Sequence, residues 1–267
     1  MEDQAAELRA MMQKSNGGKA SDHKTRVIAV TSGKGGVGKT TIVSMLGKSL
    51  AHSGYKTMLI DMDFGLNNLD VVMAIENKIV YDLIDVIEGR CRPKKALIQD
   101  FYESNLYVFP STRSFCRVKF GSEILIRIIN ELEDSFDFIL IDCPAGIDGG
   151  FRRAVECANE FIVITTPHLS AIRDAGKVIG CINVLNKSNP YLIVNRARGD
   201  LIVDGIMIDV DMISNNLNAE LIGVMPEDDV ISSQMLIENT VEFNSLSKAS
   251  IDMVARFLIA PKNIKVF

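Results

Sequence analysis

One stretch limits what this chain can fold into more than any other. The apolar, β-branched run Val27-Ile28-Ala29-Val30 leads through Thr31-Ser32 into Gly33-Lys34-Gly35-Gly36-Val37-Gly38-Lys39-Thr40-Thr41. The second part fits G-x-x-x-x-G-K-[ST], and a helical pattern follows it, so strand, glycine-rich loop and helix start stand in the order a phosphate-binding loop needs. Glycines let backbone N–H groups converge on phosphate oxygens, and the helix dipole adds positive potential at the same spot. In such a loop Lys39 reaches the β- and γ-phosphates and the Thr40 hydroxyl ligates Mg²⁺. The predicted ligand is therefore a nucleotide with Mg²⁺, held by Gly33, Gly35, Gly36, Val37, Gly38, Lys39, Thr40 and Thr41.

Further buried-strand patterns follow at regular intervals. Thr57-Met58-Leu59-Ile60 delivers Asp61-Met62-Asp63-Phe64-Gly65-Leu66-Asn67-Asn68-Leu69-Asp70 to the sheet end that carries the loop. Phe138-Ile139-Leu140-Ile141-Asp142 has the Walker B form, with Asp142 placed to hold Mg²⁺ through water. Runs at 106–110, 161–167, 191–196 and 221–226 read as strands. Helical patterns fill 42–52, 79–89, 94–98, 122–133, 151–158, 170–185 and 242–258. Gly149-Gly150 reads as a loose joint before one of these helices. Strands alternating with helices predict an α/β fold, a doubly wound, mostly parallel sheet with helices on both faces. With 267 residues, 47% of them hydrophobic, one such domain can bury a full core over 25–260. Residues 1–24 read as a short helix and flexible linker, and 261–267 as a short tail.

The word Lys34-Gly35-Gly36-Val37-Gly38-Lys39-Thr40 resembles K-G-G-x-G-K-[ST], the loop of the deviant-Walker P-loop ATPases, and the other motifs follow in that family's order. The resemblance implies that Lys34 crosses a dimer interface to the partner's nucleotide; by itself it would read as a solvated loop lysine. It makes Asp63 the residue that orients the attacking water, with Asp61 supporting the Mg²⁺ site beside Thr40 and Asp142. It makes Asp61, Asp63, Gly65 and Asn68 parts of switch I, and Pro144-Ala145-Gly146 the core of switch II. Asn195, followed by Arg196, is expected to read the adenine edge, and Pro226-Glu227-Asp228 to flank the base. The implied behaviour is an ATP-dependent homodimer that hydrolyses slowly until an activating or effector protein acts.

Within the family the chain resembles the MinD and FlhG branch. Val80-Tyr81-Asp82-Leu83-Ile84-Asp85-Val86-Ile87-Glu88-Gly89 and Arg173-Asp174-Ala175 are similar to MinD, which implies septum-site placement with MinC- or MinE-like partners. Asp3-Gln4-Ala5-Ala6-Glu7-Leu8-Arg9 resembles the front of FlhG, which implies flagellar placement with the GTPase FlhF; a cap on the chain's own domain competes with that reading. A net charge of −5 argues against a ParA-type DNA-partition ATPase, the remoter alternative, so no nucleic-acid partner is expected. Five cysteines without C-x-x-C spacing give no redox or metal centre and suit a reducing cytoplasm. Residues 1–12 are charged and unlike a secretory leader. Pro261 leaves only Lys262-Asn263-Ile264-Lys265-Val266-Phe267, too short for a stable interfacial helix, so the tail predicts at most a weak contact with the inner face of the membrane. Arg113, Arg117 and Lys119 form a basic cluster with no assigned role.

Overall fold

The computed structural model describes residues 24–64, 68–111, 120–185, 187–228 and 245–260. Its strands are β1 (Arg26–Ser32), β2 (Thr57–Asp61), β3 (Ile98–Gln99), β4 (Leu106–Phe109), β5 (Phe138–Asp142), β6 (Glu160–Thr165), β7 (Tyr191–Ala197) and β8 (Glu220–Pro226). They form one sheet in the order β3-β4-β2-β5-β1-β6-β7-β8, parallel throughout except for the antiparallel edge strand β3. β1 sits between β5 and β6 while its following helix crosses to β2, so the strand order diverges around β1. Ligands in open α/β sheets bind in the crevice at such a point, beyond the strand carboxyl ends. The glycine-rich loop begins there.

Strand side chains alternate between two cores. Ile28 and Val30 join the layer under α1 (Lys39–His52) and α2 (Asn68–Val72), together with Val254 and Leu258 of the last helix, α10 (Ser245–Ile259). Val27 and Ala29 face the other layer, filled from α5 (Ser122–Leu132), α6 (Gly149–Cys157), α7 (Leu169–Val184) and α9 (Val210–Leu217). Burial on both faces is why the strands read as continuous apolar runs rather than as alternating ones. The predicted doubly wound architecture is the observed one.

Three local expectations need correction. The helical reading of 79–89 shrinks to α3 (Leu83–Ile87), because the Asp82 carboxylate accepts from the Asp85 N–H and Asp85 answers in kind, fixing the start at Leu83. In the reading of 94–98 as helix, α4 (Pro93–Ala96) ends after four residues and Ile98 pairs with Val108 as an edge strand. Sheet pairing wins there because so short a helix has little to hold it. Gly149-Gly150 is no loose joint: both belong to α6, and a Cβ on Gly150 would lie 2.6 Å from Pro144 Cγ. Two helices between β7 and β8, α8 (Gly199–Val203) and α9, had no assigned pattern in the sequence. The predicted final helix is α10 from Ser245; residues 242–244, 1–23 and 261–267 lie outside the described residues.

Candidate functional site

Gly38 precedes α1 with φ 89°, a left-handed geometry that glycine adopts without strain. It starts the helix so that Lys39 and Thr40 lie in the first turn. Both turn inward to one carboxylate. The Lys39 ammonium pairs with Asp142 Oδ1, and the Thr40 hydroxyl donates to Asp142 Oδ2 at 2.7 Å. Asp142 is fully buried at the end of β5, so desolvation makes this shared partner costly to remove. Burial acts to lower the Lys39 pKa, but Asp142 outweighs it and the net shift is upward. The ammonium stays charged.

Asp61 ends β2 directly opposite Asp142 in the sheet register. Burial, then the neighbouring Asp142 carboxylate, raise its pKa to about 7, although it accepts the Asp63 N–H at 2.9 Å. Asp63 is half-buried, and its pKa is raised by desolvation and by Asp142 against the opposing Lys39 charge. Two adjacent strands and the start of α1 thus bring three acids and one lysine to a single corner. Among the described residues no three or more His, Cys, Asp or Glu side chains form a metal cage. The Thr40 and Asp142 oxygens nevertheless fit Mg²⁺, which favours hard oxygen donors and one or two carboxylates completed by phosphate and water.

The loop is clamped from two sides. A Cβ on Gly33 would lie 2.2 Å from the Asp174 carbonyl carbon, so the loop rests directly on the α7 backbone. The Asn195 Nδ2 donates to the Val37 carbonyl at 2.8 Å. Asn195 and Arg196 form a bulge in β7, where the pairing with β8 slips between Val194 and Ala197 and Arg196 takes φ 59°. Such bulges re-aim side chains, and here Asn195 reaches the loop. Beside it a cleft of ≈ 270 Å³ is lined by Thr41, Asn195, Arg196, Pro226, Glu227 and Asp228. The predicted base-side residues therefore come together next to the phosphate loop. The bulge was invisible in the sequence; it is set by the β8 register.

The segment expected to be switch II is tied back to β1: Cys143 N–H donates to Val30 O at 3.1 Å and Gly146 N–H to Ser32 O at 2.9 Å. Pro144 and Ala145 span the gap between these bonds. The segment expected to be switch I is braced differently. Phe64 meets Phe120 edge to face, with centroids 5.5 Å apart, and the Arg153 guanidinium lies 4.9 Å above the Phe120 ring. Sequence reading missed this stack, which joins two loop residues to one of α6. Lys34 is exposed, and its charge is felt at α7, where Lys177 first, then Arg173 and Lys34, hold the Asp174 carboxyl below its usual range. Asn68 opens α2, while Gly65 and the basic cluster Arg113, Arg117 and Lys119 lie outside the described residues.

A family model described as an AAA domain matches residues 25–194. The septum site-determining protein MinD of Bacillus subtilis is 42% identical over 226 residues, covering 84% of this chain and 84% of that protein. The chain belongs to the MinD family. The structure of the MinC:MinD cell division protein complex from Aquifex aeolicus matches with a TM-score of 0.82 at 36% identity, over 91% of this chain and 99% of that one. The septum site-determining protein MinD of Pyrococcus horikoshii, solved with Mg-ADP, matches with a TM-score of 0.78 at 29% identity, over 91% and 99%. MinD-family members are P-loop ATPases. The Bacillus and Pyrococcus relatives carry the septum-site name, so the FlhG alternative is not favoured; the seven residues that carried it, Asp3–Arg9, lie outside the described residues. No described helix is long and apolar enough to cross a membrane.

Proposed function

We propose that this chain is an ATP-gated dimerisation switch of MinD type that binds and slowly hydrolyses ATP and regulates septum placement. The observation that carries the reading is the convergence of Lys39 and Thr40 on the buried Asp142 beside the Asn195 cleft. Triphosphate entering the loop offers Lys39 a second anionic partner, so the ammonium passes from Asp142 to the β- and γ-phosphates. Thr40 and Asp142 would hold Mg²⁺, directly or through water, with Asp61 behind them; when bound it neutralises charge on the phosphate oxygens. Asn195 spends its amide N–H₂ on Val37, which leaves its carbonyl oxygen as an acceptor suited to the adenine amino group.

In the hydrolytic step Asp63 orients water for in-line attack on the γ-phosphorus, the P–O bond to the β-phosphate breaks, and ADP leaves. Lys34 is exposed on the loop, and its charge acts on the nucleotide of a second copy, as an arginine finger does. Turning such a switch from 1:99 to 99:1 needs about 5.5 kcal/mol of preference for the dimer, within reach of several charge-assisted contacts. A MinC-like effector is the expected partner of the ATP-loaded dimer. Any membrane contact is peripheral and belongs to the dimer as well.

Size-exclusion mass measurement of wild type, Lys34→Ala and Asp63→Ala with ADP and with ATP tests this. The expected outcome is a dimer in ATP alone, lost in Lys34→Ala and long-lived in Asp63→Ala. A mass indifferent to nucleotide in all three proteins would reject the switch.

A further inference from the structure

Asp228 lines the base-side cleft, and one donor that holds its carboxylate comes from the last helix. The Ser247 hydroxyl, in the first turn of α10, donates to Asp228 Oδ2 at 2.6 Å. Both residues are buried, Ser247 fully and Asp228 to 6% exposure. A carboxylate withdrawn from water needs such donors, because an under-bonded buried charge costs more than the bond itself gains.

The helix that carries Ser247 is itself locked to nucleotide-binding elements. A Cβ on Gly223 of β8 would lie 2.4 Å from Val254 Cγ2, so α10 rests on the strand that delivers Asp228. On its other flank the Ser49 hydroxyl donates to Asp252 at 2.6 Å, joining α10 to α1, the helix that starts at Lys39. Helix α10 therefore spans from the phosphate-loop helix to the turn beside the base, and Ser247 is its contact at the base end.

We propose that Ser247 is a positioning residue for nucleoside recognition. Its hydroxyl holds the Asp228 carboxylate in the orientation that lines the cleft, so α10 sets how firmly the base half of a purine nucleotide is held. The inference rests on reading that cleft as the base site. Its signature is selective: ligands with a nucleoside feel Ser247, and the phosphate chain alone does not.

The test uses the full chain and isothermal titration with Mg²⁺ and ATP, ADP or inorganic tripolyphosphate. Ser247→Ala is expected to weaken ATP and ADP about tenfold, the scale of one hydrogen bond to a charged group, while tripolyphosphate changes less than about twofold. In an Asp228→Ala background, which removes the acceptor, the same substitution is expected to add little, because the two residues act as one unit. Unchanged ATP and ADP affinity in Ser247→Ala overturns the inference. So does an equal loss for tripolyphosphate, or a full tenfold loss in the Asp228→Ala background. If the wild type binds tripolyphosphate as tightly as ATP, the base-site reading falls first and this inference with it.

Discussion

Two glycines of the phosphate loop, two positions apart, should respond in opposite ways to the same added methyl. Gly33→Ala would set a Cβ 2.2 Å from the Asp174 carbonyl carbon, 2.3 Å from its oxygen and 2.6 Å from the Ala175 nitrogen. All three are backbone atoms of α7, so no side chain can turn aside. Reaching ordinary contact near 3.4 Å requires loop and helix to part by about 1.2 Å, the difference between the two distances. Ala175 and Val178 of α7 are fully buried, so that retreat disturbs the core as well as the loop. Overpacking of this kind costs about 1–3 kcal/mol. For a domain of this size that lowers the thermal midpoint by roughly 2–4 °C per kcal/mol. A Cβ on Gly35 meets nothing within 4 Å, and its φ lies outside the left-handed range. Gly35→Ala should therefore leave stability unchanged or raise it by up to about 1 kcal/mol through the unfolded chain. Scanning calorimetry of the nucleotide-free proteins reads both, and titration with ATP shows whether the displaced loop still binds. Equal midpoints for the two variants would refute the argument that α7 supports the loop. Gly35 is exposed next to Lys34, the residue expected to reach a second copy, so Gly35→Ala should combine normal stability with impaired ATP-dependent dimerisation.

Asp61 offers a pH test. Its folded pKa of about 7 lies above the ordinary 3.8, so its stability contribution is whole below about pH 4, declines as pH rises to about 7 and is flat above. Asp61→Asn should thus gain on the wild type by roughly 1.4 kcal/mol per pH unit at most across that window in nucleotide-free protein. Chemical denaturation at pH 5, 6, 7 and 8 measures it, and a constant gap would show that the carboxyl is not penalised by its burial. Phe120→Leu keeps the bulk but drops the contacts to Phe64 and Arg153, at a cost of about 1–2 kcal/mol. Because Phe64 follows Asp63, the same change should lower kcat several-fold while KM for ATP moves little. A shift in KM alone would dissociate the ring stack from switch I.

The sequence by itself determined the chemistry of this protein and the order of its parts. Gly33 to Thr41, Asp61 to Asp63 and Asp142 are legible because each motif joins a local conformation to a local chemical demand. The buried strands are legible because burial on both faces writes an unbroken apolar run. What lies between distant segments was decided only by the tertiary structure. The bulge that turns Asn195 onto Val37 depends on the register of β8, and the edge strand at Ile98 depends on β4 being there to pair with. The contact of Gly33 with α7, the Phe64–Phe120–Arg153 stack and the Ser247–Asp228 bond each join residues whose separation in the chain hides the partner. Local sequence specifies φ, ψ and side-chain chemistry. Which surfaces meet is fixed by how the two core layers close over the sheet, and no single window of the chain contains that information.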